Sequence, residues 1–168
     1  MPDVFTKAER SVVMSRIRGK DTRPERAVRS MLHGMGYRFR LHGTNLPGRP
    51  DIVLRRYQAV IFVHGCFWHR HKGCRFAYTP KSRKEFWLKK LNSNVTRDCY
   101  VKMELRKLGW HVFTVWECEL RHSERLSRRL DLGLKRRWCA MRVTGTTRAL
   151  LGRSGLVRGA QYHPKMAR

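Results

Sequence analysis

Residues 65–82 restrict the fold of this chain more than any other segment, because they combine histidine, cysteine, glycine and aromatic residues at neither helical nor strand spacing. Periodic packing on a core cannot order such a segment. Cys66, His71 and Cys74 lie within nine consecutive residues there. Zn²⁺ prefers sulfur and nitrogen ligands, and a closed structural site takes four of them. The spacing therefore indicates a zinc-ordered loop that needs one more ligand from elsewhere in the chain.

Cys118 is the fourth ligand that we predict, because it follows an apolar segment, residues 111–116, that could return beside the loop as a strand. Free buried cysteines with exposed histidines are the alternative, and we assign Cys99 and Cys139 to it. The total of five cysteines is odd, and no hydrophobic signal segment follows Met1. Both features favour thiols or metal ligands in a cytoplasmic protein over a disulfide framework.

The charge of the chain indicates its partner. Thirty-eight Lys and Arg against twelve Asp and Glu leave a net charge of +26, an excess that attracts phosphate polyanions. Hydrophobic residues make up 41% of the sequence and include five Trp and seven Phe, which excludes a wholly disordered polycation. A basic solvated face or a membrane-surface protein remains an alternative. No window approaches the roughly 20 apolar residues of a membrane span, so nucleic acid is the expected partner.

Three parts follow one another along the chain. Residues 1–20 are predicted to form a basic arm with a short helix at 6–17. Residues 21–140 are predicted to form the folded domain. Residues 141–168 carry basic residues but no acid, a composition typical of a disordered tail with affinity for DNA.

The apolar pattern of the central part predicts an α/β or α+β domain, and we favour α/β, with a mixed central sheet flanked by helices. Asp21 or Thr22 can cap the first helix, whose apolar face comprises Val28, Met31, Leu32 and Met35. The elements predicted after it are strands 37–41, 51–54 and 59–64, helix 84–107, strand 111–116 and helix 120–138. On helix 84–107 the expected apolar face comprises Trp87, Leu91, Val95, Tyr100 and Met103.

Asp51 and two histidines suggest hydrolytic chemistry. Phosphodiester cleavage needs a hard cation, and a carboxylate such as Asp51, at the start of a strand, suits Mg²⁺. His64 and His69 lie on the segment leaving the apolar strand 59–64, where one could activate water and the other could hold a phosphate or the leaving oxygen. Each also has a structural interpretation: Asp51 as a strand cap, the histidines as zinc ligands. Glu25 could support the metal or orient a histidine, or could simply favour a helix N-terminus.

Phe67 and Trp68 are adjacent in this polar loop, and Trp87 begins the next helix. Two neighbouring large aromatic residues in a tight loop cannot both face one core. They are flanked by six cations, Arg70, Lys72, Arg75, Lys81, Arg83 and Lys84. Such a combination suits stacking on bases, or wedging between them, while the cations hold the backbone. The alternative is a small aromatic core over the zinc site.

Taken together, these residues resemble the very-short-patch repair, or Vsr, endonuclease family. The resemblance extends from about residue 3 to residue 138. It rests on five blocks in the same order: Leu46-Pro47-Gly48-Arg49-Pro50-Asp51, Val60 to His69, Glu85-Phe86-Trp87-Leu88-Lys89-Lys90, Asn94-Val95-Thr96-Arg97-Asp98, and Leu108-Gly109-Trp110 with Val115-Trp116-Glu117-Cys118.

The resemblance implies a fold like that of type II restriction endonucleases and an enzyme that nicks the T-containing strand at a T:G mispair. It implies that Asp51 binds Mg²⁺ together with the backbone carbonyl of Val63, because the family lacks the side-chain ligand that related nucleases carry there. His69 would be the general base. His64 and Glu25 would support the phosphate, the metal-bound water or the leaving group.

By the same resemblance, four residues match the family's structural zinc ligands: Cys66, His71, Cys74 and Cys118. Phe67, Trp68 and Trp87 match the aromatic residues that wedge into DNA beside the mismatch. Met14, on the basic arm, falls where the family inserts from the minor-groove side. The sequence departs from the family between Cys66 and Cys74, where the usual histidine run appears only as His69-Arg70-His71-Lys72-Gly73.

Three other functions share part of these features: a non-catalytic zinc-stabilised DNA-binding module, a basic RNA-associated protein, and a nuclease with its ion inside a hairpin and helix. Family membership would add a cognate cytosine methyltransferase, mismatch-repair proteins and a repair polymerase as partners. Nicking one strand needs one active site, so we expect a monomer.

Overall fold

The computed structural model describes residues 20–143, which contain four strands and three α-helices. The predicted helix at 6–17, Met14 and residues 144–168 of the predicted tail lie outside the described residues, whereas residues 141–143, predicted as the start of the tail, continue the last helix. In chain order the elements are α1 (Arg23–Gly34), β1 (Arg40–Leu41), β2 (Ile52–Leu54), β3 (Ala59–His64), α2 (Lys84–Lys107), β4 (His111–Trp116) and α3 (Ser123–Val143). Short 3-10 turns cover Arg55–Tyr57 and Glu117–His122.

Helix α1 begins as its sequence predicts. Thr22 is the N-cap in an extended conformation, and its hydroxyl accepts the N–H of Glu25 at 3.4 Å. Val28 and Leu32 are fully buried, and Met31 and Met35 pack partly buried against the same cluster. The predicted apolar face is therefore confirmed, and of the two capping candidates the structure has Thr22.

The sheet has the strand order β1-β2-β3-β4. Strands β1, β2 and β3 are antiparallel neighbours, whereas β3 and β4 run parallel from the pair Ala59 and His111 to the pair His64 and Trp116. A parallel partner requires a long crossover, and α2 with the preceding loop provides it. The mixed sheet with flanking helices confirms the predicted α/β architecture.

The first predicted strand, residues 37–41, is too long. Only Arg40 and Leu41 pair, with Val53 and Ile52 of β2. Tyr37 is instead used to end α1, because its N–H bonds to the carbonyl of Leu32 at 3.0 Å and its side chain is buried. The backbone N–H of Tyr37 cannot both close the helix end and pair with a neighbouring strand, and here it closes the helix end.

Two apolar layers cover the two faces of β3. Ile61 faces the cluster formed with α1 and α3, which includes Leu32 and Leu130, whereas Val60 and Phe62 face α2 through Leu105. The alternation follows from the two-residue period of a strand. Burial on both faces explains why this strand is a continuous apolar run.

Helix α2 has the predicted bounds, but part of its predicted apolar face is wrong. Leu91 and Leu105 are fully buried, while Tyr100 and Met103 are 50% and 44% exposed. The helix packs along a narrow strip of the sheet, so residues at the margin of its apolar side remain in water. The last predicted helix also starts later, at Ser123, because residues 117–122 form the 3-10 turn.

None of the helices within residues 20–143 combines the length and apolar character needed to span a bilayer.

Gly133 of α3 offers a test of the packing between α3 and the sheet. A Cβ at this position would lie 2.6 Å from Cε1 of Phe113, a core side chain. We expect Gly133→Ala to lower the free energy of unfolding in urea by about 1–3 kcal/mol, although alanine is the better helix former. Gly34→Ala is the matched control, since nothing lies within 4 Å of its Cβ position. Equal effects of the two substitutions would contradict the packing described.

Candidate active site and metal centre

Asp51 lies immediately before β2 and reaches across to β3. Its Oδ2 accepts the backbone N–H of Val63 at 2.8 Å. Its Oδ1 has no hydrogen bond to any residue in the described range 20–143. Burial raises the pKa of Asp51 to about 6, and the charge of Glu25 adds to this effect against the bond from Val63. A carboxylate in such surroundings gains from a nearby cation. The arrangement fits a metal ligand better than a strand cap.

His64 and His69 lie stacked, with ring centroids 3.8 Å apart. Nδ1 of His69 bonds to Oδ2 of Asp98 on α2 at 2.5 Å, and Nδ1 of His64 lies 3.9 Å from the same oxygen. The ligand atoms of all three residues lie within 4.8 Å of one another. The structure thus brings the two predicted histidines together and adds an acid to them.

Asp98 is the residue that the sequence analysis did not place in the site, although it belongs to one of the family-like blocks. No other predicted catalytic residue lies near it in the sequence, and 29 positions separate it from His69. The available signal was its place on the long helix, one of only twelve acids in the sequence. Only the folded structure shows that Asp98 faces the two histidines, because this depends on how α2 is rotated against the loop that follows β3.

The protonation of this cluster follows from burial and hydrogen bonding. Burial, followed by the charge of His69, lowers the pKa of His64 to about 3, so His64 is neutral near pH 7. Burial is the largest single effect on the pKa of Asp98 and would raise it, but the hydrogen bond from His69 together with the positive charges around the carboxylate outweighs burial, so the pKa is lowered. Asp98 is therefore a carboxylate that accepts Nδ1–H of His69. That bond leaves Nε2 of His69 as the ring nitrogen with a lone pair.

Glu25 is buried and largely engaged within its own helix. Its carboxylate pairs with Arg29 at 2.8 Å and accepts the hydroxyl of Thr22 and the N–H of Asp21. Asp21 and His42 complete a group of possible ligand atoms with it. These contacts favour the helix-terminal role of Glu25, and its charge reaches Asp51 only through space.

The four predicted zinc ligands come together, and their ligand atoms all lie within 4.8 Å of one another. Nδ1 of His71 lies 3.7 Å from Sγ of Cys66 and 3.3 Å from Sγ of Cys118. A tetrahedral site with bonds of about 2.3 Å to sulfur and about 2.0 Å to nitrogen spaces its ligands by about 3.5 Å, so these residues fit a metal ion. Cys99 and Cys139 are free and lie outside this group, but the prediction that they are buried is wrong, because each lies on the solvent-facing side of its helix, α2 or α3.

Local electrostatics differ among the thiols of this cluster. Burial raises the pKa of Cys66 to about 12 and also raises that of Cys118, whereas the backbone N–H of Phe76 lowers that of Cys74. The His71 ring is stacked on Trp116 with centroids 4.2 Å apart, which fixes its orientation. A metal ion would stabilise the thiolate forms that burial alone disfavours.

Phe67, Trp68 and Trp87 form an aromatic cluster, with ring centroids 5.1 to 6.0 Å apart. Each of the three is only partly buried. The side chain of Asn94 on α2 donates to the carbonyl of Trp68 at 3.0 Å and holds the loop on the helix. The rings pack on one another over the loop and still present a surface to solvent. The geometry therefore agrees in part with a small aromatic core and in part with a surface that contacts bases.

All the described candidates therefore gather at one edge of the sheet. Asp51 binds the residue that precedes His64, the histidine pair contacts α2, and the cysteine cluster begins two residues after β3. Met14 is the one predicted site residue outside the described range.

Comparison with known proteins identifies the family. A model of the family described as DNA mismatch endonuclease Vsr matches residues 2–75. The chain is 49% identical over 130 residues to the type II nicking enzyme V.XorIIP of Xanthomonas oryzae pv. oryzae, which covers 77% of this chain and 95% of the relative.

Two further relatives agree. The type II nicking enzyme V.NmeAIP of Neisseria meningitidis serogroup A is 46% identical over 132 residues, covering 76% of this chain and 94% of the relative. The DNA mismatch endonuclease Vsr of Escherichia coli K12 is 48% identical over 127 residues, covering 76% of this chain and 81% of that protein. The chain belongs to the Vsr family of DNA mismatch endonucleases.

Membership makes this Vsr-family chain an endonuclease, a hydrolase of phosphodiester bonds in DNA. The alternative of a non-catalytic DNA-binding module is therefore not supported, and the protein is an enzyme. The basic composition and the gathered acidic and imidazole groups agree with that activity.

Asp51→Asn tests the burial of this carboxyl group. The native protein keeps the Asp51 proton up to about pH 6, whereas the unfolded chain loses it near 3.8. The metal-free native state is therefore destabilised as pH rises through that interval. In the presence of chelator we expect Asp51→Asn to be more stable than the parent by about 1–3 kcal/mol above pH 6, with the difference disappearing toward pH 4.

Asp21→Asn is the control for this experiment, measured by the same urea titrations. Asp21 is exposed, and the hydrogen bond from Arg29 lowers its pKa, so its replacement should bring no gain at neutral pH. A gain of equal size in both variants, or one independent of pH, would show that Asp51 is not a buried, strained acid.

Proposed function

We propose that this endonuclease nicks the T-containing strand beside a T:G mispair, the product of deamination of 5-methylcytosine, by Mg²⁺-assisted hydrolysis. The observation that carries the proposal is the hydrogen bond from the N–H of Val63 to Asp51. His64 directly follows Val63, and its ring is stacked on that of His69. That contact places a carboxylate and two imidazoles at one end of β3. Its relatives, which include a DNA mismatch endonuclease and type II nicking enzymes, support the mismatch and the single-strand cut.

Asp51 and the backbone carbonyl of Val63 would hold the Mg²⁺. Their suitability rests on the buried carboxyl group, whose second oxygen has no hydrogen bond from the described residues and whose pKa is raised to about 6. When bound there, the cation supplies charge neutralisation for the phosphate and lowers the pKa of water. Glu25 adds negative charge nearby, but its pairing with Arg29 limits it to a supporting role.

His69 would act as the general base. Its Nδ1–H is held by Asp98, so Nε2 can accept a proton from the attacking water. As the new phosphorus–oxygen bond forms, the bond from phosphorus to the leaving sugar oxygen breaks, and that oxygen takes a proton from solvent. Asp98 is then a positioning residue that selects the tautomer and stabilises the imidazolium. The neutral His64, stacked against His69, would orient the phosphate or the leaving oxygen.

Recognition of the substrate combines charge and aromatic rings. The net charge of +26 attracts the duplex, and the aromatic cluster of Phe67, Trp68 and Trp87 would wedge between bases at the mispair. Met14 would insert from the minor-groove side. One active site in a monomer suffices to cut one strand, and we propose that mismatch-repair proteins and a repair polymerase act on the nick.

Zn²⁺ would be the ion of the cluster formed by Cys66, His71, Cys74 and Cys118. Three thiolates and one imidazole match the ligands of structural zinc, and four protein ligands leave no position for a catalytic water. Around it we propose the domain arrangement of type II restriction endonucleases, with residues 1–20 as a DNA-contacting arm, residues 21–140 as the nuclease domain and residues 141–168 as a basic tail.

Strand cleavage of labelled duplexes tests this function. T:G and matched C:G duplexes would be compared in several contexts, including CC(A/T)GG, with and without Mg²⁺. We expect nicking of the T strand of T:G alone, dependent on Mg²⁺, and a rate reduced at least about a hundredfold in Asp51→Ala because metal binding is lost.

Glu124→Gln provides the control for this assay, because Glu124 is an 89% exposed acid on α3 and should leave the rate unchanged. Cleavage of C:G duplexes at the same rate would refute mismatch specificity. Binding without nicking in every context would instead support a non-catalytic zinc-stabilised DNA-binding protein.

Metal analysis tests the zinc proposal. The purified chain should contain about one equivalent of zinc, and Cys118→Ser should lose it and melt on the order of 10 °C lower, because the ion holds residues 66–74 to the end of β4. Cys139→Ser, at an exposed cysteine, should keep both the zinc content and the melting temperature. Full zinc content in Cys118→Ser would rule out this ligand set.

A further inference from the structure

Tyr78 is the most exposed large hydrophobic side chain in residues 20–143, with 63% of its surface in water. Its ring is not isolated, because the centroid lies 5.2 Å from that of Phe67 at an interplanar angle of 41°. Neither the catalytic cluster nor the metal centre uses Tyr78. An exposed aromatic ring fixed against a partly buried one needs an explanation.

Tyr78 extends the aromatic cluster of Phe67, Trp68 and Trp87 on one side. On the other side Phe86, 47% exposed, contacts Trp87 with ring centroids 5.5 Å apart. The five rings therefore form one continuous surface. Contiguous exposed apolar surface of this kind marks a binding site, whereas single exposed residues are ordinary.

Positive charge borders this surface and indicates what covers it. The chain from Tyr78 to Phe86 carries three exposed cations, Lys81, Arg83 and Lys84. The guanidinium of Arg83 lies over the Phe86 ring, 4.7 Å from its centroid. Aromatic rings beside cations suit bases beside phosphates, because every base offers a π-face and every nucleotide a negative charge. The surface is also continuous with the rings proposed to enter the DNA.

Packing over the metal centre does not account for Tyr78. A ring with 63% exposure gains little from burial, and its only ring contact within the described residues is Phe67. Its hydroxyl has no hydrogen-bond partner there either. The side chain therefore lacks the contacts by which a structural tyrosine satisfies both its ring and its polar end.

We propose that Tyr78 is a fourth DNA-contacting aromatic residue, which stacks on a base next to the mispair while its ring supports Phe67 from outside. This inference rests on the proposed function, since it places Tyr78 beside the wedge. Stacking tolerates any base, so Tyr78 contributes to the affinity for the duplex and not to selection of one flanking base. Chemistry at Asp51 and His69 does not involve it.

Equilibrium binding without divalent cation tests this role. The probe is a duplex with a T:G mispair in the context that the parent protein nicks, carrying 2-aminopurine next to the mispair. We expect Tyr78→Ala to bind about five- to thirtyfold more weakly, and saturating protein to give a smaller change in 2-aminopurine fluorescence. Tyr78→Phe should bind within about twofold of the parent, because the ring is kept.

Thr79→Ala is the matched control for disturbance of the loop and should bind like the parent. Equal melting temperatures of all three variants, expected from the exposure of Tyr78, would show that folding is intact. Parent-like affinity of Tyr78→Ala, or an equal loss in Thr79→Ala, would overturn the proposal. Loss in Tyr78→Phe equal to that in Tyr78→Ala would also overturn it, since the contact would then belong to the hydroxyl.

The outcomes separate this inference from the proposed function. If the parent protein nicks T:G duplexes and Tyr78→Ala binds like the parent, the proposed function is supported and only the role of Tyr78 is refuted. A parent that shows no preference for T:G removes the proposed function before any variant is compared.

Discussion

The parallel pairing of β3 with β4 is the constraint on which the rest of this structure depends. Its register sets His64 opposite Trp116, so the two strands end together at one edge of the sheet. Cys66 and Cys118 each follow two residues later and therefore meet, although 52 positions separate them in the sequence. A slip of one residue would reverse the faces of the strand and separate these groups.

The loop that leaves β3 places three proposed functions in six consecutive residues. Cys66 and His71 belong to the metal cluster, Phe67 and Trp68 to the aromatic cluster, and His69 to the catalytic pair. Such density explains why the segment has no helical or strand periodicity. Asn94 on α2 holds the carbonyl of Trp68 in this loop. A metal ion bound by Cys66, His71, Cys74 and Cys118 would also fix the loop, and would thereby position groups that it does not itself contact.

The acid and base groups of the site share one physical cost, which is burial without full compensation. Burial raises the pKa of Asp51 and lowers that of His64, and Nδ1 of His64 has no hydrogen bond from the described residues. The shift at Asp51 lowers the stability of the metal-free protein as the pH rises above 3.8, and the shift at His64 lowers it as the pH falls below 6.5. Perturbed ionisation of this kind is characteristic of functional sites.

Much of this protein was determined by the sequence alone. The bounds of α2, β3 and β4, the four members of the Cys/His cluster and the family followed from local patterns and ordered motifs, because helical ends, strand periodicity and ligand chemistry are encoded by neighbouring residues. Tertiary structure decided the shortness of β1, the exposed side of α2, and the contacts of Asp98 with His69 and of Tyr78 with Phe67. Those depend on how one element is rotated against another, and packing energies between distant residues set that rotation, which no local pattern records.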